Sequence, residues 1–216
     1  MYAYIVHIMS ATTASRRKTQ AVKTSRPASS LRDEIRNTAR ELFAKEGYAR
    51  VSMRRIGAEI GCSPMAMYRH YASKDELLVS ICEETFTKMI GLIDARRERP
   101  GTPLEKLRSC LRTIMDFHLS HPNHYKVTFM TEIPPGPAAD RKVAIGQPTL
   151  DRLRKGIQEC AEAKGIAVDL EIMTQIMRAG MHGLVAMLII AQRPYPVRNP
   201  ERLKQELIAT LTTSLE

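Results

Sequence analysis

In the stretch GCSPMAMYRHYASKDEL, Gly61 to Leu77, the side chains of Tyr68, Arg69, His70 and Lys74 follow a proline, Pro64, at helix-like intervals. All four can donate hydrogen bonds. Tyr and His donors suit phosphate oxygens, and an Arg can pair either a phosphate or a guanine edge. Met65 and Ala66, nearer the start of the same segment, are placed where a helix lying in a DNA groove reaches base edges. Ser52 and Ser63 precede two predicted helices, and helix N-termini attract anions through their free N–H groups. The candidate DNA-contacting set is therefore Ser52, Arg54, Arg55, Ser63, Pro64, Met65, Ala66, Tyr68, Arg69, His70 and Lys74. Spacing alone leaves open the plainer reading, a short solvated helix that starts with proline.

A second cluster is His118, His121 and His124, an H-x-x-H-x-x-H run, with His182 elsewhere in the chain. Zinc needs three or four convergent nitrogen or sulfur ligands. Pro122 should divide the run between two helices, and no acid or cysteine completes a ligand spacing, so no metal site is assigned. A metal- or redox-sensing regulator using His118, His121 and His124 or Cys62 stands as the alternative. For His182, in an almost wholly apolar segment, the expectation is an internal hydrogen bond, because an unpaired buried imidazole is costly. The chain has no G-x-S-x-G, P-loop or G-x-G-x-x-G, so neither an enzyme nor a cofactor is expected.

The elements that must carry these residues are helical throughout. Ile35, Ala39, Leu42 and Phe43 repeat on one face between Ser30, a candidate N-cap, and Gly47. A short helix follows Ser52, with Met53, Ile56 and Ile60 inward, and stops at Gly61, the residue type that tolerates a left-handed cap. The next opens on Ser63 and Pro64 and ends near His70 or Tyr71. Ser73 and Glu76 form a capping box for a long helix that fades near Arg97. Further helices are predicted over 103–119, 122–130, 149–164, 168–192 and 200–215, with IPPGPAADRKVAIGQP between the second and third of these as a loop.

Composition agrees with a globular, non-membrane protein: 44% hydrophobic, 26% charged and no Trp in 216 residues. No uninterrupted apolar run approaches the roughly 18 residues of a spanning helix. The net charge is +10, and residues 1–30 hold Arg16, Arg17, Lys18, Lys23 and Arg26 with no acid. This lead, 1–29, reads as a flexible basic arm drawn to polyanions or merely solubilising. YAYIVHIM at its head lacks the charged flank and cleavage site of a signal peptide, leaving Met1 or Met9 as the start. Cys62, Cys82, Cys110 and Cys160 form no C-x-x-C, which fits reduced cytoplasmic thiols.

From about Arg32 to Ile81 the chain resembles the TetR family of bacterial transcriptional regulators. That pattern runs from F-x-x-x-G-Y/F through a helix-turn-helix to Y-x-H/Y-F/Y-x-x-K-D/E-x-L, and here it reads FAKEGYARVSMRRIGAEIGCSPMAMYRHYASKDELL. Gly57 departs from the usual Ala, at an expected cost of about 1 kcal/mol in helix propensity. Cys62 departs from a common Val. The resemblance implies an all-α fold of about nine helices: a three-helix helix-turn-helix domain over 30–76, then a larger ligand-binding and dimerisation domain over 77–216. HPNHYKVTFM and RAGMHGLVAMLI are similar, more loosely, to a subgroup with H-G-L in the penultimate helix.

The implied partners are a palindromic double-stranded operator, a small-molecule effector that releases a repressor, and a second copy of the chain. Met173, Ile176, Met177, Gly180, Leu184 and Met187, with Leu203, Leu207, Leu211 and Leu215, suit a dimer seam of the last two helices. Ala179, Gly180 and Gly183 would let its backbones approach closely. Expected pocket residues are Met89, Ile93, Leu111, Ile114, Met115, His118, Tyr125, Phe129, Ile157 and Met177. The 12 methionines point to adaptable packing and a chiefly apolar ligand.

Overall fold

Short polar side chains fix where most of the helices begin. In the computed structural model, which describes residues 28–190 and 196–216, Ser52, Ser63, Ser73, Thr102 and Asn199 each accept a backbone N–H at a helix start. A cap of this kind stabilises a helix by about 1 kcal/mol. Pro64, Pro103, Pro122, Pro137 and Pro200 occupy first-turn positions, where a missing N–H breaks no bond. The basic arm expected over 1–29 lies, up to residue 27, outside the described residues.

The described residues contain nine α-helices and no strand: α1 (Ala28–Glu46), α2 (Met53–Glu59), α3 (Pro64–His70), α4 (Lys74–Arg97), α5 (Pro103–Ser120), α6 (Pro122–Phe129), α7 (Pro137–Lys164), α8 (Leu170–Ile190) and α9 (Pro200–Thr212). Short 3-10 turns sit at Tyr48–Arg50 and Thr213–Leu215. Helices α1 to α3 close on a small core of Ile35, Ala39, Phe43, Val51, Ile56, Met67 and Tyr71. Long α4 carries that unit and then packs on α5, α6 and α7. Burying each of the larger aliphatic and Phe side chains among them stabilises the fold by about 1.5–3 kcal/mol.

Three expectations are corrected. Ser30 is not a cap, because α1 already begins at Ala28. The capping box at Ser73 is altered: Ser73 accepts from the Glu76 N–H at 3.0 Å, but the Glu76 carboxylate takes the N–H of Ala72, at 2.6 Å. The segment read as a loop is largely helix, since α7 starts at Pro137 and continues through Pro148. An internal proline leaves the carbonyl four residues back without its usual donor. That carbonyl is Ala144's; one turn further on, Arg152 donates to the Pro148 carbonyl at 3.0 Å and to both Asp94 oxygens at 2.6 and 2.8 Å, tying the helix to α4.

Helix α8 is long and apolar enough to cross a membrane by length and composition. One side of it, Met177, Met181, Leu184, Val185 and Leu188, is buried in the protein. Met177 and Leu184, with Leu211 and Leu215 of the α9 segment, therefore serve this chain's own core rather than an outer seam. Gly180 does the same, since a Cβ there would stand 3.0 Å from Leu211. The outward apolar row is Ile172, Ile176, Met187 and Ile190, with Leu203 on α9.

Candidate functional site

The turn between α2 and α3 is set by two backbone bonds and one left-handed residue. Cys62 N–H reaches the Gly57 carbonyl at 2.8 Å, Gly61 N–H reaches that of Ala58, and Gly61 has φ 66°. A Cβ on Gly57 would lie 2.9 Å from the Cys62 carbonyl oxygen and 3.3 Å from Met67. The departure at Gly57 thus has a packing reason: the turn and α3 sit too close to α2 for an alanine.

Helix α3 is held from beneath and open above. Met67 and Tyr71 are fully buried, whereas Met65 is 77% and Tyr68 55% exposed, and Arg69 is exposed with them. His70 is half-buried. The clamp at its end was missed in the sequence: Arg32 donates to the His70 carbonyl at 3.2 Å and lies 4.6 Å over the Tyr71 ring, while Tyr71 donates to the Arg32 carbonyl at 3.2 Å. Residues 38 and 39 positions apart in sequence gave no local signal.

The other candidates divide. Ser52 and Ser63 use their oxygens as caps, accepting from Arg55 and Ala66 at 3.1 and 3.3 Å. Arg54 is exposed. Arg55 is instead tied to Glu59 at 2.5 Å and Glu46 at 3.2 Å, and the Glu59 bond raises its pKa further. The Lys74 ammonium donates to the Tyr48 carbonyl at 2.9 Å and rests 4.1 Å over that ring, so its charge is engaged inside the protein. Tyr48 also donates a short hydrogen bond to Asp75.

A second site is an open cavity of about 1690 Å³ between α4, α5, α6, α7, α8 and the end of α1. Of the expected residues, Met89, Ile114, His118, Tyr125 and Phe129 line it. Ile93, Leu111, Met115, Ile157 and Met177 do not; they are buried in packed core. Missed residues include Phe86, Lys126, Lys142, Gly146, Thr149, Arg178 and His182, and, from the DNA-binding unit, Phe43, Gly47 and Tyr48. Lys142 and Gly146 of α7 were hidden by reading 133–148 as a loop.

The histidines form an aromatic group. His118 sits edge-on to Tyr125 and Phe129, each 5.1 Å between ring centres, and neither of its ring nitrogens is hydrogen-bonded. Burial first, and then its neighbouring imidazoles, push its pKa down to about 3. His182 does hydrogen-bond internally. Tyr125 donates to its carbonyl at 3.2 Å, so the 3.3 Å contact of His182 Nδ1 with the Tyr125 oxygen requires the Nδ1–H tautomer. Burial and Arg178 hold His182 down to about 4. His124 Nδ1 meets Thr85 at 2.9 Å and His121 Nδ1 meets the Phe117 carbonyl at 2.9 Å. Among the described residues no three His, Cys, Asp or Glu side chains are grouped to hold a metal ion. Cys62 is half-buried with its thiol on the Ser63 carbonyl.

Residues 35–81 match the family described as bacterial regulatory proteins, tetR family, and residues 107–211 match the tetracyclin repressor-like C-terminal domain. The chain belongs to the TetR family. As a TetR-family member it is a DNA-binding transcriptional regulator, with an N-terminal helix-turn-helix domain and a larger helical C-terminal domain. It is similar to the HTH-type transcriptional regulator AcrR of Shigella flexneri, at 26% identity over 195 residues, covering 84% of this chain and 89% of that one. The fold is shared with FadR of Bacillus subtilis, solved in complex with stearoyl-CoA, at TM-score 0.74 and 16% identity over 85% of this chain and 99% of that one. It is also shared with the fatty acid degradation regulator FadR of Bacillus halodurans, at TM-score 0.69 and 16% identity over 82% and 97%.

Proposed function

We propose that this TetR-family regulator is a homodimeric repressor working in the cytoplasm, released from a palindromic operator when a small, mainly apolar ligand enters the cavity. The observation carrying it is the disposition of α3: Met65 and Tyr68 stand out while Met67 and Tyr71 anchor the helix in the core. A helix so presented fits the roughly 12 Å major groove. Met65 and Ala66 read bases, Tyr68, Arg69 and His70 position the duplex backbone, and Arg54 adds a positive charge at its edge.

The exposed apolar row of Ile172, Ile176, Met187 and Ile190, with Leu203, supports dimerisation through α8 and α9. Two α3 helices then dock only at a separation of about 34–36 Å or a multiple of it. A ligand releases DNA only by binding the wrongly spaced form better. The cavity supports this because its walls belong both to α6 and α8 and to Phe43, Gly47 and Tyr48 of the DNA-binding unit.

The test is fluorescence anisotropy with the DNA immediately upstream of the coding region against a scrambled duplex, together with the solution mass. Sequence-selective, salt-steep binding by a particle of twice 24.4 kDa is expected. Equal binding to both duplexes, or a monomer that binds one half-site, overturns it.

A further inference from the structure

The cavity is lopsided in charge. Lys126, Lys142 and Arg178 line it against a single acid, Glu132. Among the described residues none of the three cations is in a salt bridge, Arg178 acting on Glu171 only from a distance, although Arg141, Arg152 and Arg154, on the same helix as Lys142, all pair with acids at 2.6–3.4 Å. Lys142 donates only to the Thr131 carbonyl, at 3.0 Å. Arg178 lies one turn before His182 on α8, so the two face the cavity from one side. Two neutral polar groups on the walls also lack partners: both nitrogens of His118, a side chain 98% buried, and the Thr149 hydroxyl.

The remainder of the lining is apolar, with Phe86, Met89, Ile114 and Leu153 at its centre. The volume exceeds the ~300–1,000 Å³ of most small-molecule sites, which calls for a long or bulky occupant. A wholly apolar guest would cover the half-buried Lys126 and Lys142 with no counter-charge and leave His118 unsatisfied, and a cationic one would add repulsion, to which the exposed Arg178 at the rim contributes. An anion answers both needs, because its oxygens accept from Lys126, Arg178 and the His118 ring N–H.

Resting on the reading of this cavity as the effector site, we infer that its ligand is an anionic amphiphile: an apolar chain against Phe86, Met89 and Ile114 and an acidic head held by Lys126 and Arg178. The head is a free carboxylate or the phosphates of an acyl thioester, which share that chemistry. Stearoyl-CoA on FadR concerns a protein of the same fold only; the unpaired cations here are this chain's own.

The experiment is calorimetric titration of the full-length protein with dodecanoate, dodecanoyl-CoA, 1-dodecanol and dodecyltrimethylammonium, each below its micelle-forming concentration. At least one of the two anions should bind tenfold or more tighter than the alcohol, and which of them does so identifies the source of the head. In the double variant Lys126→Gln, Arg178→Gln that advantage should fall below threefold, with alcohol binding and operator affinity unchanged. Alcohol binding as tight as both anions, tighter binding of the ammonium, or an advantage that survives the double variant overturns the anionic head and leaves the cavity as effector site. If none of the four binds, the effector reading falls too. Should the double variant fail to fold, the head-group series on the native protein decides.

Discussion

The ammonium of Lys74 is docked on Tyr48, 2.9 Å from its carbonyl oxygen and 4.1 Å above its ring. To reach a phosphate it must leave that seat. Lys74→Ala should therefore weaken operator and random DNA alike and make the salt slope shallower by about one unit. It should also lower stability by about 0.5–1 kcal/mol through loss of the cation–π contact. Urea denaturation and anisotropy at three salt concentrations check both; a changed slope with unaltered stability would mean that the docking contributes nothing.

Tyr68 and Met65 are both exposed on α3 but differ in what they can bind. Tyr68→Ala should lower affinity for all duplexes in similar proportion. Met65→Ala should change the ranking of operator variants, by about 1–3 kcal/mol at the affected base pair. Competition against a randomised half-site separates the two, and identical profiles would refute the division.

Gly57→Ala should destabilise the protein although alanine is the better helix former. The gain of about 1 kcal/mol in propensity is set against a Cβ 2.9 Å from the Cys62 carbonyl, and overpacking of this kind costs about 1–3 kcal/mol. A lower urea midpoint is expected; a higher one would show that the turn gives way freely.

Folded-state burial holds His118 at about 3, below the 6.5 of an exposed imidazole. The unfolded chain then binds the extra proton first, so the contribution is intact above pH 6.5 and is lost as pH falls from 6.5 towards 3. The loss is about 1.4 kcal/mol per pH unit for this one group. His118→Phe should flatten the stability profile between pH 6.5 and 4.5 by that slope, measured by urea denaturation; parallel profiles would place the imidazole's proton elsewhere.

The DNA-binding unit was legible because its signals are local: Ser63 before Pro64, Gly61 closing α2, and the Ser73 cap each act within a turn of chain. The cavity was not, because it is made by helices that meet at long range. Met177 and Met181 lie one turn apart on the same side of α8, and only tertiary packing decides that the hollow is closed at the first and opens at the second. Pro148 misled for another reason. Its neighbours read as loop by composition, yet Arg152, Asp94 and a Pro137 start hold a helix through it.

That interrupted helix forms one wall of the hollow. At Pro148 a rung of its backbone ladder is missing, beside Gly146, whose absent side chain leaves the Phe86 ring in contact with the main chain itself. On either side of the gap, Arg141 with Glu83 and Arg152 with Asp94 rivet the wall to α4, the helix on whose tip the DNA-reading unit rides. The panel is thus fastened to that shaft above and below its own broken rung, so neither half of it can shift without pulling on α4.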